Sequence, residues 1–176
     1  MPTVPFLEAV QARAARIACG SSATRGQGAG VVLAGRQFLA QLPLSQFSVS
    51  RPSLFEQRLD DATKQLCASF PRTGQSWGLA RKVLNIFLRD ALYTTYLADK
   101  FHLKEGEANL EVPLDSITAR HLCQAAGRGV LPRWLGVKHL TPQASAIYQA
   151  YAANLAASHG IARAHLDTYW WGHRDE

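Results

Sequence analysis

The stretch WGLARKVLNIFLRDALYTTYLADKF runs from Trp77 to Phe101 without a proline, and it constrains the fold more than any other part of the chain. It is too long and too unbroken for a strand and strongly apolar, so it predicts a long helix or a helix pair that neighbouring elements must cover. The rest of the sequence supplies that cover in helical form. Pro5–Cys19 reads as a helix with Phe6, Val10, Ala14 and Ile17 on one face. GSSATRGQGAG breaks it, and VVLAGRQFLAQL is a second helix, stopped by Pro43. SLFEQRLDDATKQLCASF is a third, with Ser53 as N-cap, Glu56 completing a capping box, and Leu54, Phe55, Leu59, Ala62, Leu66 and Phe70 as its core stripe.

PRTGQS is a turn and LKEGEANLEV a polar connection. PLDSITARHLCQAA opens a helix at or beside Asp115, and GRGVLPRWLGVKHL is a basic loop. TPQASAIYQAYAANLAASHG begins with Thr141 as N-cap and Pro142 at the first helical position, and ends at Gly160. IARAHLDTYWW closes the chain as a last helix. No strand pair, repeat or low-complexity tail is visible. The expectation is one all-α domain of about seven or eight helices over residues 1–176, with 47% apolar residues to fill its core.

No apolar run approaches the roughly 18–20 residues that a membrane span requires. The first residues lack the charge, apolar block and cleavage site of a signal peptide, so the expected compartment is the cytoplasm. Cys19, Cys67 and Cys123 are far apart, with no CxxC pair, and read as reduced, mostly buried thiols. The six histidines form no HExxH or close metal pattern. Neither a metal nor another cofactor is expected.

The net charge of +6 is segregated. Between Ala9 and Phe55 stand Arg13, Arg16, Arg25, Arg36 and Arg51 and no acid. Between Ser116 and Leu166 stand Arg120, Arg128, Arg133, Lys138 and Arg163, again with no acid. Two acid-free segments rich in Arg predict one anion-binding face, because the planar guanidinium donates two hydrogen bonds to a phosphate at once. The segregation favours a nucleic-acid partner over an ordinary basic surface.

Two motifs carry chemistry. Trp77-Gly-Leu-Ala-Arg-Lys opens a helix after a glycine-containing turn, where backbone N–H groups attract phosphate. Val112-Pro-Leu-Asp-Ser-Ile-Thr-Ala-Arg120 is a proline-led helix start with one carboxylate. Together they resemble the helix-hairpin-helix DNA glycosylase superfamily, whose members carry PGVGRKTANVVL followed by VPVDTHVxR. Gly78, Arg81, Lys82, Asn85 and Leu88 match the first pattern, and Val112, Pro113, Asp115 and Arg120 the second. The likeness covers roughly residues 74–122, with Ala80 in place of the hairpin's second glycine and a longer interval before Asp115. The chain is also similar to the thymine pyrophosphorylase group of phage DNA enzymes. More loosely, it resembles small bacterial anti-phage glycosylases that remove glucosylated hydroxymethylcytosine.

The resemblance implies a DNA N-glycosylase, expected to act as a monomer on double-stranded DNA, that extrudes a modified base and leaves an abasic site, with Lys82 on the family's nucleophile and Asp115 on its catalytic aspartate. The chemistry suits those residues. Breaking an N-glycosidic bond builds positive charge on the sugar, which a fixed carboxylate stabilises. A lysine with a lowered pKa, partly desolvated or beside other cations such as Arg81, can attack C1′ and form a Schiff base. Each residue also has a structural alternative. Asp115 is a natural helix N-cap, and Lys82 a phosphate clamp or a solvated helix residue. Asp167 is a second carboxylate candidate or a cap. Trp77 and Trp134 are stacking or wedge candidates beside basic loops, whereas Trp170 and Trp171 read as core. Arg25 and Gln27, in Thr24-Arg-Gly-Gln-Gly28, are placed to cradle phosphate or read a base edge. Trp77, Gly78, Arg81, Asn85, Arg120, Arg128, Arg133 and Lys138 complete the expected DNA contacts. A base-hypermodifying enzyme and a non-catalytic DNA-binding module are the alternative functions.

Overall fold

The computed structural model describes residues 5–20 and 23–172, and every element in them is helical. Eight α-helices follow one another among the described residues: α1 (Phe6–Ala18), α2 (Ala29–Gln41), α3 (Pro52–Ser69), α4 (Trp77–Tyr93), α5 (Thr95–Phe101), α6 (Ser116–Ala126), α7 (Pro142–Ser158) and α8 (Leu166–Gly172). Short 3-10 turns join several of them. No described helix is long and apolar enough to cross a membrane. The apolar stretch at the centre of the sequence is a helix pair, broken at Thr94, and α4 is buried along most of its length.

Two hydrophobic clusters form the core. The first gathers α1 to α5, with Leu39, Phe55, Leu66, Val83, Leu84 and Phe87 fully enclosed. The second gathers α6 to α8, around Val112, Leu122, Tyr148 and Ala152, and Trp77 at the start of α4 packs against it. The chain thus has a larger N-terminal lobe and a smaller C-terminal lobe, and α4 contributes to both.

Several local expectations change. The buried residues of α1 are Gln11, Ala14, Ala15 and Ala18, while Phe6 and Ile17 are 60% and 50% exposed. The reason is Gln11, whose Nε2 donates to the carbonyls of Leu39 (2.9 Å) and Leu42 (2.8 Å). These lie at the end of α2, where carbonyls run short of helical partners and that of Leu39 has a long 3.3 Å bond from Leu42 N–H. Turning α1 to place Gln11 there brings its alanines, rather than Phe6, against the neighbours. The capping box at Ser53 and Glu56 does not form: α3 begins with Pro52, so the N-cap is Arg51, two residues before Ser53, and it offers no side-chain cap. Proline at the first helical position needs no N–H partner. Thr141 does cap α7, its hydroxyl accepting from the N–H of Ala144. Cys19 is buried, and burial pushes its thiol up to about 12 against the opposing charge of Arg36, while Cys67 and Cys123 are only half-buried.

The lobes are fastened along one polar edge of α4. Arg81 donates through Nε and Nη2 to both oxygens of Glu111 (2.8 and 2.9 Å), and through Nη1 to Asp60 (2.8 Å) and Thr63 (3.0 Å). Asn85, one turn on, donates to Glu111 at 3.0 Å. Arg89, a further turn on, is paired with Asp90 and with Asp167 of α8. The phosphate-binding roles expected of Arg81 and Asn85 therefore do not hold. Both side chains are buried and committed to Glu111, a partner distant in sequence.

Removing one member of a buried ion pair leaves the other charge uncompensated, which costs about 3–5 kcal/mol. Burial pushes the Glu111 carboxyl up, but the hydrogen bonds and charge of Arg81 outweigh it, leaving the group below its ordinary value. A carboxyl depressed in the folded state adds stability above its unfolded pKa, and that stability is lost as pH falls through the folded value. Glu111→Gln is therefore expected to lower the unfolding free energy at neutral pH by several kcal/mol. It is also expected to reduce the loss of stability on acidification, measured by urea denaturation across the acid range.

Candidate active site

A cavity of about 320 Å³ opens where the lobes meet. Its wall comes from separate parts of the chain: Ala23, Arg25 and Gln27 from the loop before α2, Lys82 from α4, Asp115, Ser116 and Ile117 from the start of α6, and Trp134, Gly136 and Val137 from the basic loop before α7. This volume lies within the range of about 300–1,000 Å³ typical of small-molecule sites.

Lys82 and Asp115 stand side by side in its wall, Nζ to Oδ2 at 3.7 Å, with side chains only 8% and 13% exposed. Asp115 is also the N-cap of α6. Its Oδ1 accepts from the backbone N–H groups of Ile117 (2.9 Å) and Thr118 (3.0 Å). One oxygen thus serves the helix and the other serves Lys82, so the capping role and the site role coexist in a single carboxylate. The Lys82 ammonium also donates to the carbonyl of Ala23 at 3.2 Å.

The segment that carries Asp115 is held by a side chain with no sequence signature. Gln149 of α7 accepts from Val112 N–H (3.1 Å) and donates back to Val112 C=O (2.8 Å), as a neighbouring strand would. Arg163, counted among the surface cations from sequence, instead donates to the carbonyls of Leu110 (3.0 Å) and Asn109 (3.1 Å) and fixes the same segment.

Asp167 takes no part in the cavity wall. Its Oδ1 accepts from the Thr118 hydroxyl at 3.1 Å and its Oδ2 pairs with Arg89. Burial pushes its carboxyl up, Arg89 opposes this, and the nearby Asp115 charge adds to the rise. Of the two carboxylate candidates, Asp115 lines this cavity and Asp167 is taken up by Thr118 and Arg89. Arg81 does not act as a free cation beside Lys82, because Glu111 and Asp60 take up its charge.

The start of α4 does not present its N–H groups to a phosphate. The Ser76 hydroxyl caps it, accepting from Leu79 N–H, and the segment Val137–Leu140 lies over it. Gly78 makes this possible: a Cβ there would stand 2.2 Å from the Val137 carbonyl oxygen and 2.7 Å from Leu140 Cβ. Trp77 is half-buried with the Arg81 guanidinium 5.4 Å from its ring centre, so it packs rather than stacks on a ligand. Trp134 does line the cavity, held edge-on by Tyr148 at 5.9 Å.

Arg25, Arg120, Arg128, Arg133 and Lys138 are exposed. Arg25 lines the cavity, and Arg133 and Lys138 flank lining residues. Between those two cations, next to Trp134, stands Leu135, 62% exposed and not singled out by sequence reasoning. Trp170 is half-buried and stacks on His121 at 5.2 Å, while the side chain of Trp171 lies outside the described residues.

A larger cavity, about 600 Å³, opens between α6, α7 and α8, with His121, Leu155, His159 and Trp170 in its wall. None of its described lining residues is Asp, Glu, Lys or Arg, so size and reactive chemistry point to different places, and the smaller cavity holds the acid–amine pair. Among the described residues, no group of three or more His, Cys, Asp or Glu is placed to hold a metal ion.

The double use of Asp115 has a measurable consequence. Asn caps a helix as well as Asp does, whereas Ala removes the cap at about 1 kcal/mol. Asp115→Ala is therefore expected to unfold at lower urea than Asp115→Asn, the two differing by about 1 kcal/mol in unfolding free energy. Equal midpoints would show that the cap contributes nothing. Compared with protein-family models, with curated proteins and with solved structures, the chain matches none.

Proposed function

We propose that this chain is a DNA N-glycosylase acting on a base extruded from the duplex. The observation that carries the reading is the 3.7 Å approach of Lys82 and Asp115, brought from different helices into one walled cavity beside exposed arginines. The exposed cations Arg25, Arg120, Arg128, Arg133 and Lys138 bind phosphates, and Trp134 offers a face to the extruded base. Leu135, apolar and exposed between Arg133 and Lys138, is suited to fill the gap the base leaves in the stack.

The C1′–N bond breaks, its electron pair leaves with the base, and the sugar acquires positive charge. The Asp115 carboxylate, kept oriented by two backbone N–H groups, faces that charge from the cavity wall. Lys82 can then pass a proton to Asp115 and bond to C1′ through its freed electron pair. Ring opening gives a Schiff base that water later hydrolyses. If Lys82 stays protonated, water adds to C1′ instead. Both routes leave an abasic site. Sugar-modified bases of phage genomes are the first substrates to try, and defence against such phages is the corresponding role.

Incubation with a panel of modified phage DNAs, followed by an abasic-site assay, tests the activity. Asp115→Asn is expected to lose roughly 10²–10³-fold in base release, the scale of a lost electrostatic contact, while still binding DNA. Borohydride is expected to trap a covalent complex with the wild-type chain and none with Lys82→Gln. Turnover without trapping would assign the water route. Release of an intact strand bearing a base of altered mass would mark a base-modifying enzyme, and binding without chemistry a DNA-binding module. Leu135→Ala is expected to slow base release from duplex more than from single strands, because only the duplex requires the wedge.

A further inference from the structure

We infer that Gln27 is a specificity-determining residue that reads the extruded base by accepting a hydrogen bond from its exocyclic amine. The inference rests on the glycosylase reading of the cavity and goes beyond it by naming the class of base. Gln27 lines the same cavity as Lys82 and Asp115, and its Oε1 is buried without a hydrogen-bond partner. Buried amide oxygens nearly always find a donor. Arg36 Nε, Asn85 Oδ1 and Ser145 Oγ are likewise buried without a partner, but of these four residues Gln27 is the one that lines the cavity, which points to an occupant of the cavity as its donor.

The loop is shaped to hold that side chain in place. Gln27 N–H donates to the Thr24 carbonyl at 3.1 Å, and the Thr24 hydroxyl donates to Gly20 C=O at 2.9 Å. The residues on either side, Gly26 and Gly28, have φ of 75° and 84°, values that other residues rarely adopt. Two glycines in that conformation turn the chain sharply on both sides of Gln27. Trp134, braced by Tyr148, supplies a flat surface in the same wall.

The chemistry of the bases selects the donor. Lys82 and Asp115 have to face the sugar, so an acceptor elsewhere in the wall meets an edge away from the glycosidic bond. On a pyrimidine the position across the ring from that bond carries an amine in cytosine and a carbonyl oxygen in thymine or uracil. On a purine the corresponding group is an amine in adenine and a carbonyl oxygen in guanine or hypoxanthine. A buried acceptor favours the amine and repels the carbonyl oxygen.

The test does not depend on turnover. Binding of 2′-deoxycytidine against 2′-deoxyuridine, and of 2′-deoxyadenosine against 2′-deoxyinosine, is measured by NMR titration of the full chain at millimolar nucleoside. The wild type is expected to prefer the amine-bearing member of each pair by roughly 10–100-fold, the scale of a base-specific contact. Gln27→Leu is expected to abolish the preference, and Gln27→Glu, which retains an acceptor, to keep it. Equal binding of both members, no binding of either, or an unchanged preference in Gln27→Leu would overturn the assignment. Base release without such a preference would leave the glycosylase reading standing and remove Gln27 from it. A preference without base release would do the reverse.

Discussion

Pairing of buried charge along one edge of α4 is the constraint on which the rest of the structure depends. Arg81, Asn85 and Arg89 fall on successive turns, with Lys82 beside Arg81, of a helix whose other sides are packed in apolar core. A cation cannot be taken out of water there without a carboxylate to meet it. Glu111, Asp115 and Asp167 supply them, each from the C-terminal part of the chain. The pairs therefore dictate how the second lobe sits on the first. They place the start of α6 opposite Lys82 for the same reason that they place Glu111 opposite Arg81.

The pairs differ in what they leave available. Arg81 and Glu111 satisfy one another through two hydrogen bonds, and Asn85 and Thr63 take up neighbouring atoms. Asp167 has one oxygen on Arg89 and the other on Thr118. Those groups are used up by structure. Lys82 and Asp115 stand farther apart, at 3.7 Å, and open onto a cavity. Asp115 is fixed through Oδ1 by the helix it caps, which leaves Oδ2 oriented without being saturated. A carboxylate held by one oxygen and presented by the other is what electrostatic stabilisation of a sugar cation needs, since the group does not have to reorganise when the charge appears.

Much of this was legible in the sequence, and the misses have local physical causes. Helices announced by caps or by long apolar periodicity were readable: Thr141-Pro142 gave the start of α7, and the stripe from Phe55 to Phe70 gave the buried face of α3. Lys82 and Asp115 were readable as a pair through their motifs, although no spacing along the chain says that two residues so far apart share a cavity. Arg81 was misread because a first-turn arginine looks like a phosphate ligand until its acid is known, and Glu111 lies beyond a helix and a 3-10 turn. The orientation of α1 was misread because Phe6 and Ile17 outrank alanine in apolarity, while the deciding group was Gln11 and its hold on the end of α2. Ser53 was misread because Pro52 already fits the first helical position. In each case a polar side chain with a distant partner, or a proline, overrode the signal read from the neighbouring residues alone.

The measurement that bears most directly on the central claim uses a duplex in which one deoxyribose is replaced by a pyrrolidine, whose protonated nitrogen stands where the sugar's positive charge develops. Its affinity is compared with that of the same duplex carrying an uncharged tetrahydrofuran. A site built to stabilise that charge binds the cationic analogue at least about 10²-fold more tightly, and the account expects this of the wild-type chain and expects Asp115→Asn to erase the difference. Equal affinity of the wild type for the two duplexes, or a preference that survives in Asp115→Asn, would contradict it.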